Sequence, residues 1–414
     1  MRFFPSIDNR ICQQKMPLAN LDNAIDQCHA DLTVRYLLNE LATVDKLGPC
    51  GLNSVADVEV VQMSTGGFFL RRRKIVPIFF KLMFLFYVPT SRRIDASTAG
   101  FEEESRVWMY AVHNAECHFY STAAPLLRAM PVPPPFHIPE LYSCRQAPSS
   151  DCLTGGYVLL EDVAGKGVIE VDLTNGLSKA QAESAIRGLA HFHALCLCLP
   201  SQLMDSFSLK AELDFNVQEL HIIDRLMAMP DTAAHFAEHR QAIENMYAKS
   251  GHYPPDQHQL FSVPPVIMHG DFWSNNMFFK TNQDEHVADQ LHAIFDWQIC
   301  HTGTGVNDLL RIIYVSVDAP LRRLHIDHWL SLYCSELHSV LKLLDNEAVD
   351  QQQRSLQLIR QMAAHHSAYE LCFQLFLLTN ILDTEQDEPR RLKLIRRMRE
   401  LLDDVMASAN DTLQ

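Results

Sequence analysis

Hydrophobic and polar positions follow one pattern up to about residue 163 and another after residue 178. In the first half, short apolar runs with period-two character predict strands. Residues 56–63 alternate, Ser64-Thr65-Gly66-Gly67 reads as a tight turn, and Phe68-Phe69 opens a second strand. Lys81 is the one charge in the apolar run Pro77-Ile78-Phe79-Phe80-Lys81-Leu82-Met83. Leu141-Tyr142 starts a further strand, 144–154 a polar loop, and 157–163 another strand. Two helices interrupt this half, over 31–47 (Leu32, Tyr36, Leu37, Leu41 and Val44 near helical spacing) and over 101–120. Five prolines between Pro131 and Pro139 demand an extended connection. Gly165 and Gly167 loosen the chain, and after Ser178 helical periodicity dominates: 179–199, 205–252 as one or two helices, and 321–406. The expected organisation is an N-terminal extension at 1–30, a β-rich part at 31–163 and a mainly helical part at 164–414, an α+β architecture.

Composition narrows the class. A 414-residue chain with 47% hydrophobic and 21% charged residues has the make-up of a globular protein. A formal charge of −15 argues against general nucleic-acid binding, which needs basic patches. The basic run around Arg390, Lys393 and Arg396 is diluted by Glu400 and Asp403 and fits a solvated amphipathic helix. Eleven cysteines show no C-x-x-C pair, so free thiols and a cytoplasmic location are expected. The run from Ile75 to Val88 is short for a membrane span and carries Lys81 at its centre, so no stable membrane insertion is expected.

Two apolar runs of strand type stand out in the helical half. Val266-Ile267-Met268 breaks into His269-Gly270-Asp271-Phe272-Trp273-Ser274-Asn275-Asn276, and Ala293-Ile294-Phe295 breaks into Asp296-Trp297-Gln298. Both place polar groups at the C-terminal end of a strand. Asp271, Asn276 and Asp296 are the residue types that phosphoryl transfer requires: one carboxylate to orient a hydroxyl and take its proton, and two hard oxygen ligands for Mg²⁺. The five-residue step from Asp to Asn lets one loop present both.

These motifs, His-Gly-Asp-Phe-Trp-Ser-Asn-Asn followed by Ile-Phe-Asp-Trp-Gln, resemble those of the choline kinase and aminoglycoside phosphotransferase group. The ecdysteroid-kinase-like (CHK kinase-like) branch matches best, particularly its nematode members, from about Glu116 to Tyr333. The resemblance implies a two-lobed protein-kinase-like fold with a small β-rich N-lobe and a larger, mainly helical C-lobe. It further implies an ATP- and Mg²⁺-dependent kinase acting on a hydroxyl of a sterol-like or choline-like small molecule. On that resemblance, Gly66 and Gly67 cover the nucleotide phosphates, although a plain hairpin turn accounts for them equally well. Lys81 holds phosphates and pairs with Glu116, which lies two residues before Phe-Tyr as in the family. Backbone groups near Glu161 and Val163 read the adenine. His269 braces the catalytic loop rather than acting as base, and Asp308 anchors it from below or simply caps a helix.

The phosphate lysine is where the chain departs from the family pattern. Tyr87-Val88-Pro89 stands where the family has Lys-Val-Pro, which leaves Lys81 as either the phosphate lysine or a solvated side chain. A second reading therefore stays open, a catalytically weak, pseudokinase-like binding protein. A third takes His269, Asp271, His292, Asp296 and His301 as ligands of a metal-dependent phosphohydrolase, which leaves Asn276 unexplained. His191 and His193, two apart on a helix, point to different faces and read as packing.

Overall fold

The computed structural model describes the strands at 13–16, 58–62, 68–71 and 77–82 and, with short breaks, residues 107–411. For the four early strands the description covers the backbone only. The breaks include 149–155, 164–167, 208–215, 251–256, 283–285, 346–354 and 383–384. The helix expected over 31–47 and the turn at Gly66-Gly67 lie outside the described residues, as does the Lys81 side chain.

The chain forms two compact units, one of residues 4–125 and 138–165 and the other of 126–137 and 166–414. The first holds a six-stranded antiparallel sheet of order β1-β2-β3-β4-β6-β5. Its strands are β1 (Gln13–Met16), β2 (Val58–Gln62), β3 (Phe68–Arg71), β4 (Pro77–Leu82), β5 (Leu141–Arg145) and β6 (Tyr157–Glu161). Strand β6 is central, with Tyr157 to Leu160 all buried, so it reads as a continuous apolar run rather than an alternating one. The candidate membrane run is thus in part a sheet strand, with Lys81 registered opposite Val158. Strand β5 reaches Arg145, further than the polar character after Cys144 suggests, because Cys144 and Arg145 pair with Val158 and Tyr157.

A helix over 110–118 passes through a π-helical turn, Phe119–Ala123, and continues as Ala124–Arg128. It is fastened to the segment around the end of β5. His113 Nε2 lies 2.9 Å from the Arg145 carbonyl, and Asn114 exchanges two hydrogen bonds with the backbone of Ala147, at 2.9 and 3.2 Å. Glu116, on this helix, is buried.

The second unit is mainly helical. Helix Lys179–Cys196 starts at a capping box in which Ser178 and Gln181 satisfy each other's backbone N–H. Its buried alanines, Ala182, Ala185 and Ala190, suit close packing against helix Ala319–Leu343. Helix Leu356–Leu382 is apolar on nearly all sides because it packs against helices Val306–Ser316, Glu388–Asp411, Ala233–Ser250 and Asn216–Ala228. Small sheets carry the two motifs. Strand β8 (Val266–Met268) pairs with β11 (His301–Gly303), and β9 (Met277–Thr281) lies between β7 (Val168–Ile169) and β10 (Val287–Ile294). Among the described residues no helix is long and apolar enough to cross a membrane, and the seven described cysteines are free thiols.

Candidate active site

The loop from His269 to Asn276 runs from β8, whose three residues are all buried, to β9. Gly270 turns the chain with φ of +80°, where a Cβ would collide with the carbonyl oxygen of Ile299, so only glycine fits. A single 3-10 turn at Ser274–Asn276 delivers Asn276 back to Asp271. Asn276 Nδ2 donates to both the carbonyl (2.8 Å) and the carboxylate Oδ2 (2.9 Å) of Asp271. The amide carbonyl of Asn276 therefore faces away from that carboxylate, as a metal ligand must.

Asp271 Oδ1 is different: it is buried and accepts no hydrogen bond. The guanidinium of Arg311 lies 3.9 Å from it. Removal from water pushes the Asp271 carboxyl above its ordinary range and the charge of Asp296 adds to this, against the pull of Arg311, His269 and Asn276. A carboxylate of raised basicity with an unsatisfied oxygen suits proton abstraction. Asp296 follows the end of β10 and has φ of +66°, left-handed backbone that a non-glycine residue adopts at a cost. The hydrogen bond from Phe295 N–H to the Asn276 carbonyl, 3.1 Å, ties this strand end to the loop.

His269 is fully buried, with both ring nitrogens engaged by backbone. Nε2 lies 2.9 Å from the carbonyl of Phe295, and Nδ1 accepts from Asp271 N–H at 3.2 Å. These contacts make the ring a strut between the loop and the residue before Asp296. His301 lies opposite Met268 and directs Nδ1 to the Ile299 carbonyl at 2.7 Å. Both ring nitrogens of His269 are thus taken, and among the described residues no three His, Cys, Asp or Glu side chains are grouped to hold a metal ion, so the ligand set of the phosphohydrolase reading is not assembled there.

Asp308 lies inside helix Val306–Ser316, whose N-cap is Gly305, so it is not a helix cap. Its carboxylate accepts the N–H of His269 (2.6 Å) and of Gly270 (2.9 Å). Burial pushes its pKa up, but bonding to His193 and the nearby His193 and His269 bring it below the ordinary carboxylate range. His193 is fully buried, with Nδ1 2.8 Å from the Tyr333 hydroxyl and Nε2 3.7 Å from Asp308 Oδ2. Sequence periodicity assigned His193 to packing and missed this role; nothing in its spacing signals it. Arg311 and Glu370 were missed likewise. Arg311 Nη1 donates to the Gly270 carbonyl at 2.6 Å, while Nε and Nη2 donate to Glu370 at 2.5 and 3.1 Å.

Of the other expected site residues, Glu161 exchanges hydrogen bonds with Glu140, through its backbone N–H at 2.8 Å and its carboxylate at 3.1 Å. Val163 is described without regular structure. The donor set of Asn276 and Asp296, two hard oxygens from two strand ends, fits Mg²⁺, which keeps water and phosphate oxygens as its remaining ligands.

No curated protein matches the chain. Solved structures similar to it include an ethanolamine kinase of Plasmodium vivax, 11% identical, covering 94% of this chain and 92% of that one, with a TM-score of 0.45. A choline kinase from Cryptosporidium parvum is 12% identical over 91% of this chain and 99% of that one, TM-score 0.45. An ADP-bound aminoglycoside phosphotransferase, APH(2'')-Ib, is 11% identical over 88% and 98%, TM-score 0.38. The sequence model of the ecdysteroid kinase-like family matches residues 101–346, more than half of the chain and all of the loop built above, and the protein belongs to that family.

Proposed function

We propose that the protein is an ATP-dependent kinase that phosphorylates a hydroxyl group of a small molecule. The observation that carries this reading is the half-satisfied carboxylate of Asp271: one oxygen is fixed by Asn276 and the other is buried without a donor. An acceptor hydroxyl placed on Oδ1 supplies the missing hydrogen bond. Asp271 orients that hydroxyl and takes its proton as the acceptor oxygen bonds to the γ-phosphorus and the bond to the β-phosphate oxygen breaks, releasing ADP. Asn276 and Asp296 would hold Mg²⁺, which when bound neutralises the phosphate charge that develops on transfer. His269 and Asp308 keep the loop in this shape through backbone contacts. The buried Glu116, with Lys81, is assigned to the phosphates, the Gly66-Gly67 turn to covering them, and the backbone near Glu161 and Val163 to the adenine.

The acceptor is proposed as a sterol-like alcohol, following the family to which the chain belongs. A choline-like amino alcohol is the second candidate. The test is Mg²⁺-dependent ATP binding and slow ATP turnover by the purified chain, beside Asp271→Ala and Asp296→Ala. Loss of turnover in both, with weakened Mg·ATP binding only for Asp296→Ala, supports the kinase. A native chain that binds ATP without turnover, even with alcohol acceptors of both classes, favours a catalytically weak, pseudokinase-like binding protein.

A further inference from the structure

Helix Leu356–Leu382 is exposed along one side of its first turns and buried nearly all round from Tyr369 on, yet it carries polar residues at 366, 370 and 374. That four-residue step places them on one face. Each meets helix Val306–Ser316 or its lead-in. His366 Nε2 is 3.2 Å from the hydroxyl of Thr304, Gln374 Nε2 donates to the Tyr314 carbonyl at 2.7 Å, and Glu370 takes Arg311. Glu370 is fully buried and Arg311 is 4% exposed. Glu370 lies beyond the segment that the family model matches.

The geometry at Arg311 is specific. A guanidinium is planar, with its donors in a fixed fork. Two of its nitrogens, Nε and Nη2, are taken by Glu370, and the third, Nη1, donates to the carbonyl of Gly270. Phe373 stacks on the guanidinium face, with its ring centroid 3.3 Å from Cζ. Asn307 Nδ2 donates to Glu370 Oε1 at 3.1 Å and fixes the carboxylate in turn. The fork therefore has one orientation. In it, Arg311 grips the residue before Asp271 and stays 3.9 Å from Asp271 Oδ1, without a hydrogen bond. Without Glu370, the nearest carboxylate to a buried guanidinium would be Asp271 itself.

We infer that Glu370 is a positioning residue for the catalytic loop: by holding Arg311 it makes Arg311 clamp the Gly270 carbonyl and withholds it from the Asp271 oxygen that the acceptor needs. This rests on the kinase reading for its consequence in turnover, but the clamp on the loop can be measured without any activity. The variants are Glu370→Gln, which leaves Arg311 without its counter-charge, and the double variant Arg311→Met with Glu370→Met. The second removes both buried charges together and so avoids an unpaired one.

Hydrogen exchange of the full chain is followed by mass spectrometry across 266–278, with 182–194 as an internal reference. We expect exchange in the loop segment to rise about tenfold or more in the double variant, with the reference unchanged. Mg·ATP turnover should fall about tenfold to a hundredfold in both variants, as for a misplaced reacting group, while Mg·ATP affinity holds. A purely packing role predicts the opposite split: lower melting temperature, uniform change in exchange, and turnover retained in the folded fraction. That result, or unchanged loop exchange in the double variant, overturns the inference. If the native chain turns over no ATP while the loop exchange still rises in the double variant, the kinase reading falls and the clamp stands.

Discussion

Acidification tests the packing of the C-terminal unit through two of its histidines. His301 and His366 are 6% and 1% exposed. Burial lowers the imidazole of His301 to about 4, despite its bond to the Ile299 carbonyl, and that of His366 to about 3, helped by the neighbouring His365. In the unfolded chain both titrate near 6.5. Above pH 6.5 each ring is neutral in both states and stability does not depend on it. Between pH 6.5 and about 4 the unfolded chain binds two protons that the native chain refuses, so stability falls as pH falls. Each histidine contributes about 1.36 kcal/mol per pH unit in that window, hence about 2 kcal/mol each and about 4 kcal/mol together on going from pH 7 to pH 5. Against a total stability of about 5–15 kcal/mol, that is a large fraction. At about 2 °C per kcal/mol for a unit of this size, it lowers the melting temperature by about 8 °C. Carboxylates with depressed pKa, such as Asp308, add their own loss only below about pH 4. The assay is thermal unfolding at constant ionic strength from pH 7 to pH 5, for the native chain, His301→Asn and His366→Gln. Asn Nδ2 can replace the donor at Nδ1 of His301 and Gln Nε2 the group at Nε2 of His366, and neither titrates. Each variant should lose roughly half of the two-histidine slope. A melting temperature that is flat from pH 7 to pH 5, or a slope that neither variant changes, would refute the reasoning.

Three further outcomes follow from the loop. Asp308→Asn replaces one of two acceptors facing the His269 and Gly270 N–H groups with a donor, and should cost about 2–4 kcal/mol in urea unfolding; a loss under about 1 kcal/mol counts against the anchor. Gly270→Ala should lower stability by about 1–3 kcal/mol and abolish ATP turnover, because φ of +80° and the Ile299 carbonyl leave no room for a methyl group. Asp296→Asn keeps a side chain that tolerates left-handed backbone, so the melting temperature should move by less than about 2 °C while Mg·ATP affinity, read by calorimetry, falls about tenfold or more. Unchanged affinity would remove Asp296 from the metal site.

Much of this arrangement is legible in the chain because strand ends announce themselves. Val266–Met268 and Val287–Ile294 are apolar where buried and polar beyond, so the loop of Asp271 and Asn276 and the position of Asp296 follow from local pattern. The positive φ of Gly270 likewise has a one-residue signature. The supports of the loop are not legible in this way, since their partners are remote. Arg311 meets Glu370 at a separation of 59 residues, and His193 meets Tyr333 at 140. Periodicity cannot see such pairs, and in an apolar helix such as Leu356–Leu382 a polar residue looks like an interruption. The proline-rich stretch 131–139 is not helical, with bends at 131–132 and 135–136 rather than one extended run. Its end nevertheless bridges β10, with His137 N–H donating to the His292 carbonyl at 2.7 Å and its carbonyl accepting from Ile294 N–H. This places 126–137 with the C-terminal unit, whereas a division of the chain at a single point assigns it to the N-terminal one.

Three carboxylates around the loop differ in the donors each receives. Asp308 takes two backbone N–H groups, one on each oxygen, and burial alone cannot raise its pKa against them and His193. Glu370 takes three N–H donors from Arg311 and Asn307 across both oxygens. Asp271 takes a donor on Oδ2 and none on Oδ1. An unsatisfied buried oxygen is expensive. Here the surroundings hold it in place from three sides: Asn276 fixes the carboxylate, Asp308 the backbone before it, and Glu370 the guanidinium of Arg311 beside it. The same fold thus leaves one carboxylate with an open oxygen and ties up both oxygens of its two neighbours. The oxygen left without a donor is where the proposed reaction would seat an acceptor hydroxyl.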